Sequence, residues 1–470
     1  MNADLTALVA LVSIALFVIG LKRLSRIRTA RGGNALMAGG MLLAVLLTLV
    51  EQGRVDWRWI VGGLTVGSAV GVLVVVRAQA TQMPEIVARF NGLGGASSAL
   101  VALSLFWAAV VEPERADTAV VALGLLAALT GVLGIVIGVT TLSGSILAEL
   151  KLRGTVGDGR IPARSLVMAA ALVTALGAGW VAVASADAAT ATLGMAGVVV
   201  ASLVVGVVLV VPIGGADMPV VISLLNSFSG LAAAAAGFAL SNALLIIAGT
   251  VVGAAGLILT QIMCVAMNRS LLNVMIGGFA AGVEADTSDY VSITSSDAEE
   301  AAMVMEIAET VVIVPGYGLA QARAQTAAYD VAKALQQLGV DVRFAIHPVA
   351  SRMPGHMNVV LAEAEVPYDL LYEMDRINQD LPQTDVVIVV GANDVVNPAA
   401  HTQPSSPIAG MPILDVASAR RVFVIKRSLS PGYAGIKNEL FDMANTTMLF
   451  GDAKAVLDDL AVELQKAAKR

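Results

Sequence analysis

The chain has 470 residues, of which 57% are hydrophobic and only 14% charged, with a net charge of −7 and a mean hydropathy of +0.81. That composition excludes an ordinary soluble globular protein, and the acidic balance argues against nucleic acid as a partner. The single cysteine, Cys264, excludes a disulfide framework or a cysteine-based metal site within one chain, and its apolar neighbours give it a packing role.

The apolar excess lies almost wholly before about residue 280. It divides into about nine stretches, each near the roughly 20 residues that cross a bilayer. They run from Leu5 to Leu21, Ala35 to Val50, Trp57 to Val76, Ile86 to Val111, Thr118 to Leu147, Ser165 to Ala184, Ala188 to Val211, Val220 to Leu240 and Ala243 to Cys264. Cations alternate between the connections. The first, third, fifth and last carry Lys22, Arg23, Arg26, Arg28 and Arg31, then Arg77, then Lys151, Arg153, Arg160 and Arg164, then Arg269; the others carry only Arg54, Arg58 and Arg115. By the positive-inside rule the chain starts outside and its last span ends in the cytoplasm. Trp57, Trp59, Trp107 and Trp180 then fall near outer span ends, as interfacial anchors do. The first span is not expected to be a signal peptide, because its basic cluster follows it. Glycine and alanine crowd the spans, so helices are expected to pack closely through small residues.

Residues 283 to 295, VEADTSDYVSITS, are polar and acidic and read as a linker. Ser296 to Glu299 then has capping-box spacing for a short helix reaching Glu309. From Val311 the pattern alternates strand and helix, with strands expected at 311–315, 340–346, 369–373, 385–390, 421–426 and 447–450 and a last helix from about Ala453. Such alternation indicates βαβ units and a parallel sheet. The expected architecture is therefore a polytopic α-helical membrane domain (1–280), a linker with a short helix (281–309), and an α/β Rossmann-like domain with a six-stranded parallel sheet (310–470).

The stretch TVVIVPGYGLAQARAQ, residues 310–325, carries the first chemical signal. A strand turns through Gly316, Tyr317 and Gly318 into a helix start, which gathers backbone N–H groups where a pyrophosphate sits without a side-chain clash. The third glycine of G-x-G-x-x-G is Gln321 here. Taken alone, the motif is also an ordinary tight turn. The second strand, VDVRFAI, runs into His347 and Pro348 with no acid to hold an NAD ribose, so NAD in the usual mode is disfavoured. The fifth strand ends in Lys426, Arg427 and Ser428, which suit a 2′-phosphate or form a solvated basic pair. Two long loops follow strand ends, HPVASRMPGHMN with His347, Arg352 and His356, and GANDVVNPAAHTQPSSPIAGMP with Asn393, Asp394 and Asn397. A third, SLSPGYAGIKNELF, could close as a lid with Tyr433 at its bend. Long loops without secondary structure are usually functional.

At these residues the chain resembles a family. GYGLAQARAQ, IHPVASRMPGHMNVVLAEAEVPYD, GANDVVNPAA, IAGMP, KRSLSPGYAG and MLFGDAK, with GGADMPVV and LLNSFSG in the membrane part, resemble the beta subunit of bacterial proton-translocating NAD(P) transhydrogenase over essentially the whole length. The resemblance implies an enzyme of the inner membrane that carries NADP(H), with its nucleotide domain in the cytoplasm. An alpha subunit would bind NAD(H), and alpha–beta units would pair as a dimer. Hydride would pass directly between nicotinamides, coupled to inward proton movement, so that no catalytic acid or base and no metal is needed. Gly316, Tyr317, Gly318, Leu319 and Ala320 would contact the dinucleotide, with Arg352 near its phosphates. Lys426, Arg427 and Ser428 would hold the 2′-phosphate. Gly391, Asn393, Asp394, Gly432, Tyr433, Gly451 and Asp452 would complete the site and its closing loops. The proton path would include Asn91, Asn226, Ser227 and Asp217. Some relatives carry histidine where Asn91 stands; all three histidines here, His347, His356 and His401, lie in the soluble part, and asparagine does not protonate at physiological pH. The alternative is a transporter or channel regulated by a nucleotide-sensing Rossmann domain, since a fold does not fix a function.

Overall fold

The computed structural model describes residues 3–24, 27–51, 57–111, 124–157, 159, 161–185, 187–214, 217–267, 270–276, 290–348, 353, 355–432 and 434–469. Contacts cluster into two units, residues 1–260 with 275–277 and residues 261–274 with 278–470.

Among the described residues, nine helices are long and apolar enough to cross a membrane. They are α1 (Ala3–Leu24), α2 (Ile27–Glu51), α3 (Trp57–Val76), α4 (Met83–Phe106), α5 (Leu125–Leu152), α6 (Arg164–Ala184), α7 (Ala188–Val210), α8 (Met218–Ala239) and α9 (Ala243–Ala266). The fourth expected span ends as a π turn at Trp107–Val111. The fifth departs more. Residues 118–123 of the expected span lie outside the described residues, and α5 runs on past Leu147 to Leu152. Charge does not end it, because each charge finds a partner: Glu149 meets Arg89 and Arg153, and the Lys151 ammonium donates to the Val211 and Ile213 carbonyls at 2.6 Å each. Small residues set the spacing. A Cβ on Gly95 of α4 would lie 2.6 Å from the Gly138 carbonyl oxygen of α5, so the two backbones touch as close helix packing in membranes requires.

The second unit holds six parallel strands, β1 (Thr310–Pro315), β2 (Asp341–Ile346), β3 (Leu371–Glu373), β4 (Val386–Val390), β5 (Arg421–Lys426) and β6 (Thr446–Phe450), in the order β3-β2-β1-β4-β5-β6. That is the doubly wound dinucleotide-fold order, and it reverses between β1 and β4. Strands covered on both faces read as continuous apolar runs, and every residue of β4, VVIVV, is buried. β3 starts two residues later than expected because Tyr368–Leu370 forms a 3-10 turn after Pro367.

Two local readings shift. The helix Ala298–Glu306 is capped by Asp297, whose carboxylate accepts from the Glu300 N–H at 2.9 Å, while the Ser296 hydroxyl donates to the Glu300 carboxylate. The described end of the expected linker is not a free tether. The Thr294 carbonyl accepts from Met448 N–H at 2.8 Å and Ser296 N–H donates to the Met448 carbonyl at 3.0 Å, so the segment lies along the open edge of β6, which edge strands need covered.

Asp385 pins three strand starts. Its carboxylate accepts from the Glu309 and Thr310 N–H groups at 3.0 and 3.1 Å and from Arg420 at 2.5 Å. Burial alone raises this carboxyl, but the two N–H groups and Arg420 outweigh it and hold it below the ordinary carboxylate value. A depressed carboxyl stabilises the fold above its unfolded pKa of about 4, and that stability is lost as pH falls through the lower folded value. Asp385→Ala is expected to cost about 2 to 3 kcal/mol and to flatten the acid limb. Denaturant midpoints at neutral pH and near pH 3 measure both.

Candidate functional site

The β1 and β4 loops converge at the reversal of strand order, where open α/β sheets bind ligands. Gly316 and Gly318 lie backbone to backbone against the β4 loop. Gly316 N–H donates to the Val390 carbonyl at 2.8 Å and Gly318 N–H to the Gly391 carbonyl at 2.9 Å. Gly391 has φ +65°, and a Cβ there would lie 2.5 Å from Gly318 Cα. Glycine is thus required on both sides of the contact.

The helix after this turn is short, Tyr317–Gln321, and is interrupted at Arg323 with φ +52° before a second helix, Gln325–Gln337. Leu319 and Ala320 are fully buried in the core, so only their backbone is available to a ligand. Gln321, where a third glycine would stand, is exposed, and no helix-to-strand packing is lost by its side chain.

The β5 end joins the same cluster. Lys426 is half buried and donates to the Ser430 carbonyl, with its ammonium 5.2 Å from the Phe441 ring centre. Burial pulls its pKa below the ordinary ammonium value, an effect partly opposed by the nearby Asp394 carboxylate. Asp394, buried, accepts from Ala434 N–H at 3.1 Å. A Cβ on Gly432 would come within 2.5 Å of that carboxylate. The Asn393 amide, turned with its oxygen towards β5, accepts from Gly432 N–H at 2.8 Å and from Lys426 at 3.1 Å. Ser428 and Ser430 hydroxyls share a hydrogen bond of 2.9 Å. Arg427, next to Lys426 in the chain, is exposed.

Gly451 N–H donates to the Lys426 carbonyl at 3.1 Å, and Asp452 caps the last helix by accepting from Lys454 N–H at 3.0 Å. Arg352 and Tyr433 lie outside the described residues. His347 and His356 are buried; His347 Nε2 pairs with the Pro412 carbonyl at 2.9 Å, and burial lowers its pKa to about 4. The unfolded chain therefore binds the extra proton between pH 6.5 and 4, so stability falls as pH falls through that window, by about 3 kcal/mol in full. A His347→Gln variant is expected to lose that slope between pH 7 and pH 5 in denaturant unfolding.

Sequence reading missed Asn438 and Tyr290. Asn438 is fully buried, its Nδ2 donating to the Asn393 carbonyl at 3.1 Å. Its backbone N–H donates to the Tyr290 hydroxyl at 3.3 Å. Lys437 stacks 4.8 Å over the Tyr290 ring and pairs with Asp442 at 2.5 Å, while Asp442 also accepts from Val291 and Ser292 N–H groups. The segment of residues 290–292 is thereby fastened to the loop that supports Asn393.

In the membrane unit, Asn91 Nδ2 donates to the Ile222 carbonyl at 3.2 Å, joining α4 to α8. Ser227 Oγ donates to the Gly253 carbonyl at 2.7 Å, joining α8 to α9. Asn226 is half buried one turn beyond Ile222. Asp217 is buried at the start of α8 but makes no side-chain capping bond.

Residues 6–463 match the family described as NAD(P) transhydrogenase beta subunit. Two NAD(P) transhydrogenase beta subunits of Rhodospirillum rubrum, one of them from a named strain, are each 44% identical over 469 residues, covering 98% of this chain and 99% of theirs.

Proposed function

The chain belongs to the NAD(P) transhydrogenase beta subunit family, and from that premise we propose that its C-terminal sheet domain binds NADP(H) and its helices carry the coupled protons. Residues 1–280 serve as the membrane domain, 281–309 as the connector and 310–470 as the NADP(H) domain. The observation that carries the reading is the meeting of Gly316, Gly318 and Gly391 at the reversal of strand order, near the half-buried Lys426, because a Cβ at any of the three would strike the backbone of the facing loop and push the two loops apart.

These residues fit the dinucleotide. The Gly316–Gly318 turn admits its pyrophosphate because no side chain stands in the way, its glycine N–H groups being already donated to the β4 loop. Lys426, Arg427 and Ser428 hold its 2′-phosphate, with Arg427 offering planar, paired N–H groups. Bound NADP(H) supplies the nicotinamide carbon that exchanges hydride with NAD(H) held by an alpha subunit. The chain's own work is positioning, since aligned reactants need no added acid or base. Asn393, Asp394 and Gly432 tie the β4 loop to the lid, so that opening the lid disturbs Lys426 directly. The basic connections support a cytoplasmic nucleotide domain, and on this reading alpha–beta units pair as dimers.

The test is reconstitution of the chain with its alpha partner in liposomes. Reduction of an NADP⁺ analogue by NADH, with proton uptake abolished by an uncoupler, is the expected result. Nucleotide-dependent ion flux without hydride transfer would instead make the chain a regulated transporter.

A further inference from the structure

Glu149 lies one turn from the end of α5 and is only 8% exposed. Arg89 of α4 donates to its carboxylate through Nε, 3.1 Å from each oxygen, and through a second, closer guanidinium N–H. Arg153, just past the end of α5, reaches it at 2.7 Å and turns its Nε to Glu85 at 3.2 Å. Among the described residues, the other helices packed on α5 bring no further counter-charge to Glu149. No ionisable residue occurs in α7 or α8. Arg164 of α6 donates to the Val208, Leu209 and Met275 carbonyls; Lys151 is taken by carbonyls, and Asp217 stands before α8.

A polar column leads to this carboxylate. Thr141, Ser145 and Glu149 recur at four-residue intervals on one face of α5, and Thr141 and Ser145 are fully buried. α4 faces them with Gly95 and Gly92, where a Cβ would lie 2.7 Å from Thr141 Cβ and 3.1 Å from Ser145 Cβ, and then with Arg89. The Ser145 hydroxyl has no hydrogen-bond partner among the described residues, so it is available to a proton-carrying water. Asn91 stands beside Gly92 and cannot itself be protonated.

We propose that Glu149 is the proton-accepting group of the membrane unit, latched by Arg89. The inference rests on the transhydrogenase reading above. With both arginines in place the carboxylate is paired on both sides. When Arg89 moves away, the Glu149 oxygen takes a proton from water at the Ser145 level. Return of Arg89 expels that proton to water at the α5 end, and the cluster gains and then loses one positive charge. Ionisable groups within spans that face a bundle interior are candidates for proton relays, and Glu149 would stand at the end of such a route. α5, about 42 Å long, exceeds a hydrocarbon core of about 30 Å, which sets Glu149 near one interface.

The test uses the chain with its alpha partner in liposomes, reading hydride transfer, proton uptake by an enclosed pH dye, pH profile and NADPH affinity. Glu149→Gln is expected to lower coupled turnover and proton uptake by about 100-fold with NADPH affinity unchanged. Glu149→Asp is expected to keep proton uptake with a displaced pH profile. The Arg89→Gln, Glu149→Gln double variant leaves no unpaired buried charge and is expected to stay as inactive as Glu149→Gln. Wild-type proton uptake in Glu149→Gln, or its recovery in the double variant, would make the pair a helix staple and overturn the proposal. Wild-type proton uptake in Glu149→Gln sinks the proposal alone, whereas a wild type without hydride transfer, or with hydride transfer and no proton uptake, would sink the function it rests on.

Discussion

Arg427→Ala is expected to weaken NADPH binding by about 10- to 100-fold while leaving the weak binding of NADH within about twofold. A guanidinium–phosphate pair contributes about 1.5 to 3 kcal/mol, and each 1.4 kcal/mol is tenfold in affinity. The 2′-phosphate is the group by which the two nucleotides differ, so loss of its ligand must appear in one titration and not in the other. Arg427 suits this test better than Lys426. It is exposed, so its removal leaves the packing intact. Lys426 is half buried and engaged by Ser430, Asn393 and Phe441, and its loss would disturb the lid as well as the ligand. Arg427→Lys should recover only part of the affinity, because an ammonium cannot reproduce the paired N–H geometry. Equal weakening of both nucleotides would show that Arg427 touches a part of the ligand that NADPH and NADH share.

Gly391→Ala is expected to be the most disruptive single methyl addition in the nucleotide domain. The new Cβ would lie 2.5 Å from Gly318 Cα and 2.6 Å from Leu319 N, at a φ of +65°. The obstructing atoms are backbone on the neighbouring loop, so no side chain can swing aside. Backbone strain and overpacking together cost about 2 to 5 kcal/mol, out of a domain stability of about 5 to 15 kcal/mol. Gly410→Ala is the matched control, since Gly410 has φ +76° with nothing within 4 Å of its would-be Cβ. It should cost only the left-handed backbone term, about 1 to 2 kcal/mol. NADPH binding should vanish in Gly391→Ala and persist in Gly410→Ala. Similar losses in both would mean that φ, and not the contact between the β1 and β4 loops, is what glycine provides.

The strands were legible because a sheet covered on both faces leaves uninterrupted runs such as Val311–Val314 and Val386–Val390. Their order was not, since it depends on which crossover passes which face. The glycines of the β1 turn announced themselves by spacing. Gly391 was identified as a site position by family resemblance, but its physical reason, a backbone contact with Gly318, lies 73 residues away in the chain. Leu319 and Ala320 were named by their place in the motif, and their side chains are buried in the core. Asn438 and Tyr290 gave no local signal: their partnership spans 148 residues. Glu149 illustrates the same limit in the membrane. A charge near a span end reads as the end of the span unless its partner is visible, and Arg89 is 60 residues distant.

The most direct test of the central claim is paired equilibrium titration of the purified full-length chain with NADPH and with NADH. Tight, saturable NADPH binding at one site per chain, with NADH at least about 100-fold weaker, is the result expected of a beta subunit that holds NADP(H) at the β1, β4 and β5 loops. Equal affinity for the two nucleotides, or no binding of either, would contradict it.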